Sequence, residues 1–143
     1  MSIQTAINHR ENAEIITGDS LLCKQKSKEL LEKIHMPKGL LPLDDIEEVG
    51  YNEKTGFVWL RQKKGKEHKF KKIGKQVWYD TEVTAFVENQ RMRKLKGVKS
   101  KELLIWITIN EIYIDAEDPE KITFGTPTGI SRSFPATAFA EGE

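Results

Sequence analysis

The sequence predicts a mainly β fold, an antiparallel sandwich or partly open β-barrel with one N-terminal amphipathic helix packed on it. Three observations lead there. One helical period lies over residues 19–35. From Ile46 onward apolar residues recur at every second position. Gly, Pro and Asn clusters interrupt these runs at short intervals. Short strands with turn signals at that spacing build sandwiches or barrels.

Residues 1–18 carry no clear period and are expected to be flexible or weakly helical. Gly18-Asp19-Ser20 reads as a helix start, with Asp19 or Ser20 as the cap. Leu22, Cys23, Lys26, Ser27, Leu30, Leu31 and Ile34 trace one side of the helix, and Lys24, Lys28, Glu29, Glu32 and Lys33 fill much of the rest. Pro37 and Gly39 end it near His35. The stretch 37–42 is a rigid connector, its prolines fixing the backbone and Leu40 and Leu41 anchoring it.

Strands are predicted over 46–51, 57–61 and 67–73, joined by the loop 52–56 and the turn Lys64-Gly65-Lys66. Over 77–88, Val77, Tyr79, Val83, Ala85 and Val87 share one face while Asp80, Glu82, Thr84 and Glu88 take the other. Asn89-Gln90 turns the chain into a strand over 92–95, which Gly97 is expected to break. The run 103–114 is apolar on both faces, which predicts a strand lying between two layers, one of them formed partly by the helix, with Trp106 in the core. An acidic loop, 115–120, precedes last strands at 122–126 and 130–134. Residues 19–139 are read as a single domain and 140–143 as a C-terminal tail.

At 143 residues the chain can bury a real core without disulfides or metals. The balance of 38% hydrophobic and 31% charged residues is that of a folded domain. A net charge of +1 gives no global field toward a polyanion, so electrostatic partners must be sought in local patches. The single cysteine, Cys23, cannot close an internal disulfide. The opening stretch lacks an apolar core of signal-peptide length, and no run is long and apolar enough to span a bilayer. The expectation is a cytoplasmic protein, free or peripheral on the cytosolic face of a membrane, and not secreted.

The main catalytic and cofactor motifs are absent: no Gly-x-Ser-x-Gly, no phosphate-cradling glycine loop and no His-Glu-x-x-His. His9, His35 and His68 sit in unrelated contexts, and Cys23 has no second thiol near it, so no metal and no cofactor is expected. Cys23 lies where a helix dipole would lower a thiol pKa, but a small buried apolar residue is the favoured reading. The acidic pairs Asp44-Asp45, Glu47-Glu48 and Glu117-Asp118 read as solvated surface. No catalytic residue can be assigned, and the chain leans away from being an enzyme.

The basic stretch is the most informative feature. Arg61, Lys63, Lys64, Lys66, Lys69, Lys71, Lys72 and Lys75 are interrupted by one acid, Glu67, and a second group runs Arg91, Arg93, Lys94, Lys96, Lys99 and Lys101. Two readings stand. Lysines on an edge strand discourage sheet-to-sheet pairing. Alternatively Lys63, Lys64, Lys66, Lys69, Lys71 and Lys72 bind an anionic surface such as lipid headgroups. Nucleic acid is disfavoured, because aromatic residues are not interleaved as base stacking requires. Trp59 and Trp78 are candidate contacts for an apolar ligand, Trp78 standing opposite the apolar row of its strand; ordinary packing is the alternative.

Three stretches carry a resemblance: 36–42 followed by 46–52; 95–99 continuing through 102–114; and 122–135. In their order and spacing the chain resembles the plant domain-of-unknown-function family 538 (DUF538), most closely its Small-With-Variable-Branches members. The resemblance implies a mainly β fold with a packed helix, a plant source, kinship with lipid-binding bactericidal/permeability-increasing proteins, and roles in stress response and trichome growth. A chlorophyll-hydrolase activity is attributed to the family, with no motif to carry it. Many members have a signal peptide and cysteines in the strand region, and this sequence shows neither.

The leading expectation is therefore non-enzymatic binding of an amphiphile or an anionic membrane surface, in a plant growth or stress-response role. An apolar cavity between sheet and helix would take the chain of a lipid or other amphiphile, and lysines its head. The alternatives are a regulatory protein–protein interaction module without a small ligand and a hydrolase acting on an apolar ester such as chlorophyll. A monomer or weak homodimer is expected; the protein partner is left open.

Overall fold

The computed structural model describes residues 11–142. The chain opens with strand β1 (Glu14–Thr17) and helix α1 (Ser20–Lys33), followed by β2 (Ile46–Asn52), β3 (Phe57–Gln62), β4 (Lys66–Phe70), β5 (Lys75–Glu88) and β6 (Arg91–Glu102). Strands β7 (Ile105–Thr108), β8 (Glu111–Ile114), β9 (Lys121–Gly125) and β10 (Ser131–Pro135) complete the sheet, and a 3-10 turn closes the fold at Ala136–Phe139. All pairings are antiparallel, in the order β1-β2-β3-β5-β6-β8-β9-β10. The long β5 also carries β4, and β6 carries β7. The result is one ten-stranded antiparallel sheet that does not close, with the helix packed on it.

The helix starts where Asp19 caps it, accepting a hydrogen bond from the Leu22 amide at 3.1 Å. Its face of Cys23, Ser27 and Leu31 is buried against the sheet. Residues 11–18, read as flexible or weakly helical, instead hold a strand over Glu14–Thr17, which pairs with β2 from Tyr51 to Glu48. Four residues give too short a run for alternation to register in the sequence. Residues 1–10 of that reading lie outside the described residues.

The apolar row of β5 is buried as read: Val77, Tyr79, Val83, Ala85 and Val87 face α1 and the connector. Leu40 and Leu43 are fully buried, and the Tyr79 hydroxyl donates to the Leu40 carbonyl at 2.7 Å. At the other end of this inner layer Phe139 sits 4.6 Å from Phe70 and 5.3 Å from Phe124, centroid to centroid. The closing turn thus bridges two distant strands.

Two expectations are corrected. Gly97 does not break its strand: β6 runs twelve residues through it, with φ +89° and a register shift against β5 between Tyr79 and Thr84. A Cβ at Gly97 would fall 2.3 Å from the Glu82 carbonyl oxygen, so glycine permits this bulge. Gln62, buried in the neighbouring strand, donates to the carbonyls of Tyr79 and Asp80 at 3.2 and 3.0 Å and satisfies the irregular backbone.

The second correction concerns 103–114. This run is two strands, β7 and β8, separated at Ile109-Asn110, and it begins in a two-residue turn at Leu103-Leu104. Only its later part is buried, with Ile109 at 3% and Ile112 at 1% exposure, whereas Leu103 is 93% exposed, Leu104 89% and Ile105 67%. Trp106 is half-buried at the surface, not in the core, with Lys101 Nζ 5.6 Å from its ring centroid. Apolar alternation reports which residues could be buried, and here the sheet ends before a second layer arrives.

Candidate functional site

Register places three hairpin tips at one end of the sheet. The β4–β5 turn spans 71–74, since Phe70 pairs with Lys75. Val77 pairs with Ser100, which brings the start of β5 beside the end of β6 and so beside the β6–β7 turn. The β9–β10 turn, 126–130, reaches the same end, because Arg132 Nε lies 3.3 Å from Glu102 Oε1. Glu102 joins all three hairpins, for Lys75 Nζ also contacts it at 2.6 Å.

Between β6–β7 and β9–β10 this end opens into a cleft of about 540 Å³. Ile107, Ile109, Phe124 and Phe134 form its apolar wall, Leu103 and Ile130 its rim, and Glu102 and Arg132 its mouth. The volume falls within the range of small-ligand sites, roughly 300–1,000 Å³. Alternation along β6 and β7 puts Ser100 and Ile107 on the inner, helix-bearing face, as it does Val98. Between helix and sheet the free space is small: a hollow of about 110 Å³ lies between α1 and strands β1 and β2, lined by Ile16, Lys26, Leu30, Lys33, Val49 and Tyr51. Where Leu30, Leu31 and Ile34 meet Val58, Leu60 and Met92, only about 10 Å³ remains. Side chains of these sizes interlock there, and the largest of these spaces is the cleft, which no α1 residue lines.

The candidate lysines do not form one patch. Lys63 and Lys64 are exposed in the β3–β4 connection, at the far end of β4 from Lys71 and Lys72. Lys66 pairs with Asp44 at 2.7 Å and donates to the Pro42 carbonyl at 2.7 Å; it lines a hollow of about 230 Å³ with Lys24, Lys28, Lys38 and His68. That ammonium holds the Asp44 carboxyl below its ordinary range. His68 is pushed below the usual imidazole value, mainly by burial and then by Lys66, with Asp44 opposing. Lys71 and Lys72 lie on the β4–β5 tip, and Lys69 projects from the outer face of edge strand β4. The sheet adds what the sequence separated. Lys99 stands opposite Trp78, and Lys101 opposite Trp106, making a basic outer face with two indoles beside the three tips.

Neither candidate tryptophan lines the cleft. Trp59 is buried on the opposite face of the sheet, where its Nε1–H donates to Glu48 Oε2 at 2.7 Å. Its ring occupies the space above Gly50, where a Cβ would meet it at 2.1 Å. Trp78 is half-buried and lies over Gly65, with a Cβ there only 2.2 Å from the ring. The cleft residues escaped sequence reading because they come from β6, β7, β9 and β10. The one signal available was the aliphatic pair Leu103-Leu104 between strands without a glycine or asparagine to make the turn.

Cys23 is fully buried, its thiol raised above its ordinary pKa by burial, with Asp19 and Glu48 adding to the rise. Its sulfur lies 3.5 Å from the Ile16 carbonyl oxygen, which makes it a packing residue. Among the described residues no group of three His, Cys, Asp or Glu could hold a metal ion, and no helix is long and apolar enough to cross a membrane.

No curated protein and no solved structure matches the chain. One family model does, described as "Protein of unknown function, DUF538", over residues 27–140. That span runs from the buried face of α1 to the closing 3-10 turn and contains the three hairpins and the cleft. On a match of that extent, the chain belongs to the DUF538 family.

Proposed function

We propose that the protein binds an anionic amphiphile without transforming it, the apolar chain lying in the cleft and the charged head at its mouth. The observation that carries this reading is the pairing of an apolar wall with an unbalanced mouth. Lys75 and Arg132 converge there on a single carboxylate, Glu102, which leaves one positive charge for a carboxylate or phosphate head. Lys69, Lys71, Lys72, Lys99 and Lys101 surround this end and favour an anionic membrane surface as the source of the ligand. A cytosolic setting belongs to the same reading, as does a role in plant growth or stress response, which rests on the family resemblance.

Calorimetric titration with oleate, below its micelle concentration, tests the proposal. Saturable binding is expected, weakened about tenfold in Arg132→Glu, a loss of about 1.4 kcal/mol. Absence of saturable binding to a folded protein would remove the reading.

A further inference from the structure

We infer that the β6–β7 tip inserts into the headgroup–acyl boundary of an anionic bilayer, the neighbouring lysines holding lipid phosphates, so that the cleft opens onto lipid. The use made of this insertion rests on the proposed amphiphile site; the insertion itself is tested apart from it.

Scattered exposed leucines on a soluble protein need no explanation. Here three consecutive aliphatic residues stand in water at one turn, with Leu103 at 93%, Leu104 at 89% and Ile105 at 67%, and Ile130 on the adjacent tip at 68%. Leu103 has φ +56°, in a two-residue hairpin turn where glycine or asparagine is the residue of least strain. A bulky side chain held in that conformation at a solvent-exposed position gains nothing from packing, and such strain marks functional sites.

Charge complementarity names the partner. Lys101 flanks the aliphatic turn on β6, Arg132 meets Glu102 beside it, and Lys71 and Lys72 lie on the β4–β5 tip that Lys75 ties to the same carboxylate. A second copy docking tip to tip would bring these cations face to face, which disfavours self-association. An anionic bilayer offers phosphates to these cations and hydrocarbon to the aliphatic turn. Trp106, beside Lys101 on β7, sits at the level where an indole favours the membrane interface.

The test is co-sedimentation of the full chain with phosphatidylcholine–phosphatidylserine vesicles and with phosphatidylcholine alone. Binding is expected only to the mixed vesicles, and the Leu104→Asn/Ile105→Thr variant, which leaves the cleft wall intact, should lose it about tenfold or more. In a Leu104→Trp variant, lipids brominated along the acyl chain should quench and blue-shift the added emission. Unaltered vesicle binding by Leu104→Asn/Ile105→Thr, or an unquenched Leu104→Trp, would overturn insertion. So would tip-dependent dimerisation in sedimentation velocity without vesicle binding. Vesicle binding that survives alongside failed oleate titration sinks only the cleft reading; oleate binding without any vesicle binding sinks only this one.

Discussion

Lys75 Nζ lies 2.6 Å from Glu102 Oε1, and both side chains are largely withdrawn from water, at 16% and 21% exposure. Lys75 opens β5 and Glu102 closes β6, so the pair fixes the β4–β5 tip against the β6–β7 tip, and Arg132 adds the third hairpin through the same carboxylate. Glu102→Gln should cost about 1–2 kcal/mol in urea unfolding, more than an exposed pair would. Amide exchange over 71–75 and 102–105 should quicken as well. A double-mutant cycle with Lys75→Met separates the pair's own coupling from the loss of Arg132.

Leu103→Asn should stabilise the protein, by about 1 kcal/mol, because asparagine tolerates a positive φ that leucine adopts only under strain. The same substitution should weaken vesicle binding. A thermal midpoint that rises while binding falls is the signature of a residue kept for its partner and not for the fold.

Gly50→Ala should destabilise by about 2 kcal/mol or more, since its Cβ would meet the Trp59 ring at 2.1 Å. That ring cannot swing aside without surrendering its 2.7 Å hydrogen bond to buried Glu48. Chemical denaturation measures the loss, and a red shift of tryptophan emission should accompany it.

His68 gives a pH dependence of definite sign. Its folded pKa lies below the 6.5 of the free side chain, so the unfolded chain binds the proton more tightly. Stability should therefore fall as pH drops from above 6.5 toward the lowered folded value. Lys66, Lys71 and Asp44 are the charges acting on it, and the Phe70 ring lies 4.7 Å away. In His68→Gln the difference in thermal midpoint between pH 7.5 and pH 5.5, on the order of one unit either side of the histidine range, should shrink. An unchanged difference would mean His68 does not titrate with folding.

Much of the fold was legible because single residues marked it. Asp19 announced the helix, Asn52 to Gly56 the first hairpin, and the Val77-to-Val87 row the buried face of β5. The helix reading also put Cys23, Ser27 and Leu31 on the buried side. What failed were inferences from apolarity to burial. Leu103 and Leu104 read as core because hydrophobic residues usually are, yet register ends the sheet there and exposes them. A local rule broken at an exposed turn points to function more often than to stability. Trp59 erred in the opposite sense: its burial depends on Gly50 across the sheet and on Glu48, pairings that only register reveals. The cleft was illegible for a third reason. Ser100, Ile109, Phe124 and Phe134 meet through sheet curvature, and no spacing in the sequence encodes that.

The most direct measurement is a 15N–1H correlation spectrum of the protein titrated with oleate. The account predicts saturable shifts concentrated at Ile107, Ile109, Phe124 and Phe134, with smaller ones at Glu102 and Arg132 and none along α1. Shifts absent, unsaturable or confined to the outer face around Trp78 and Lys99 would contradict it.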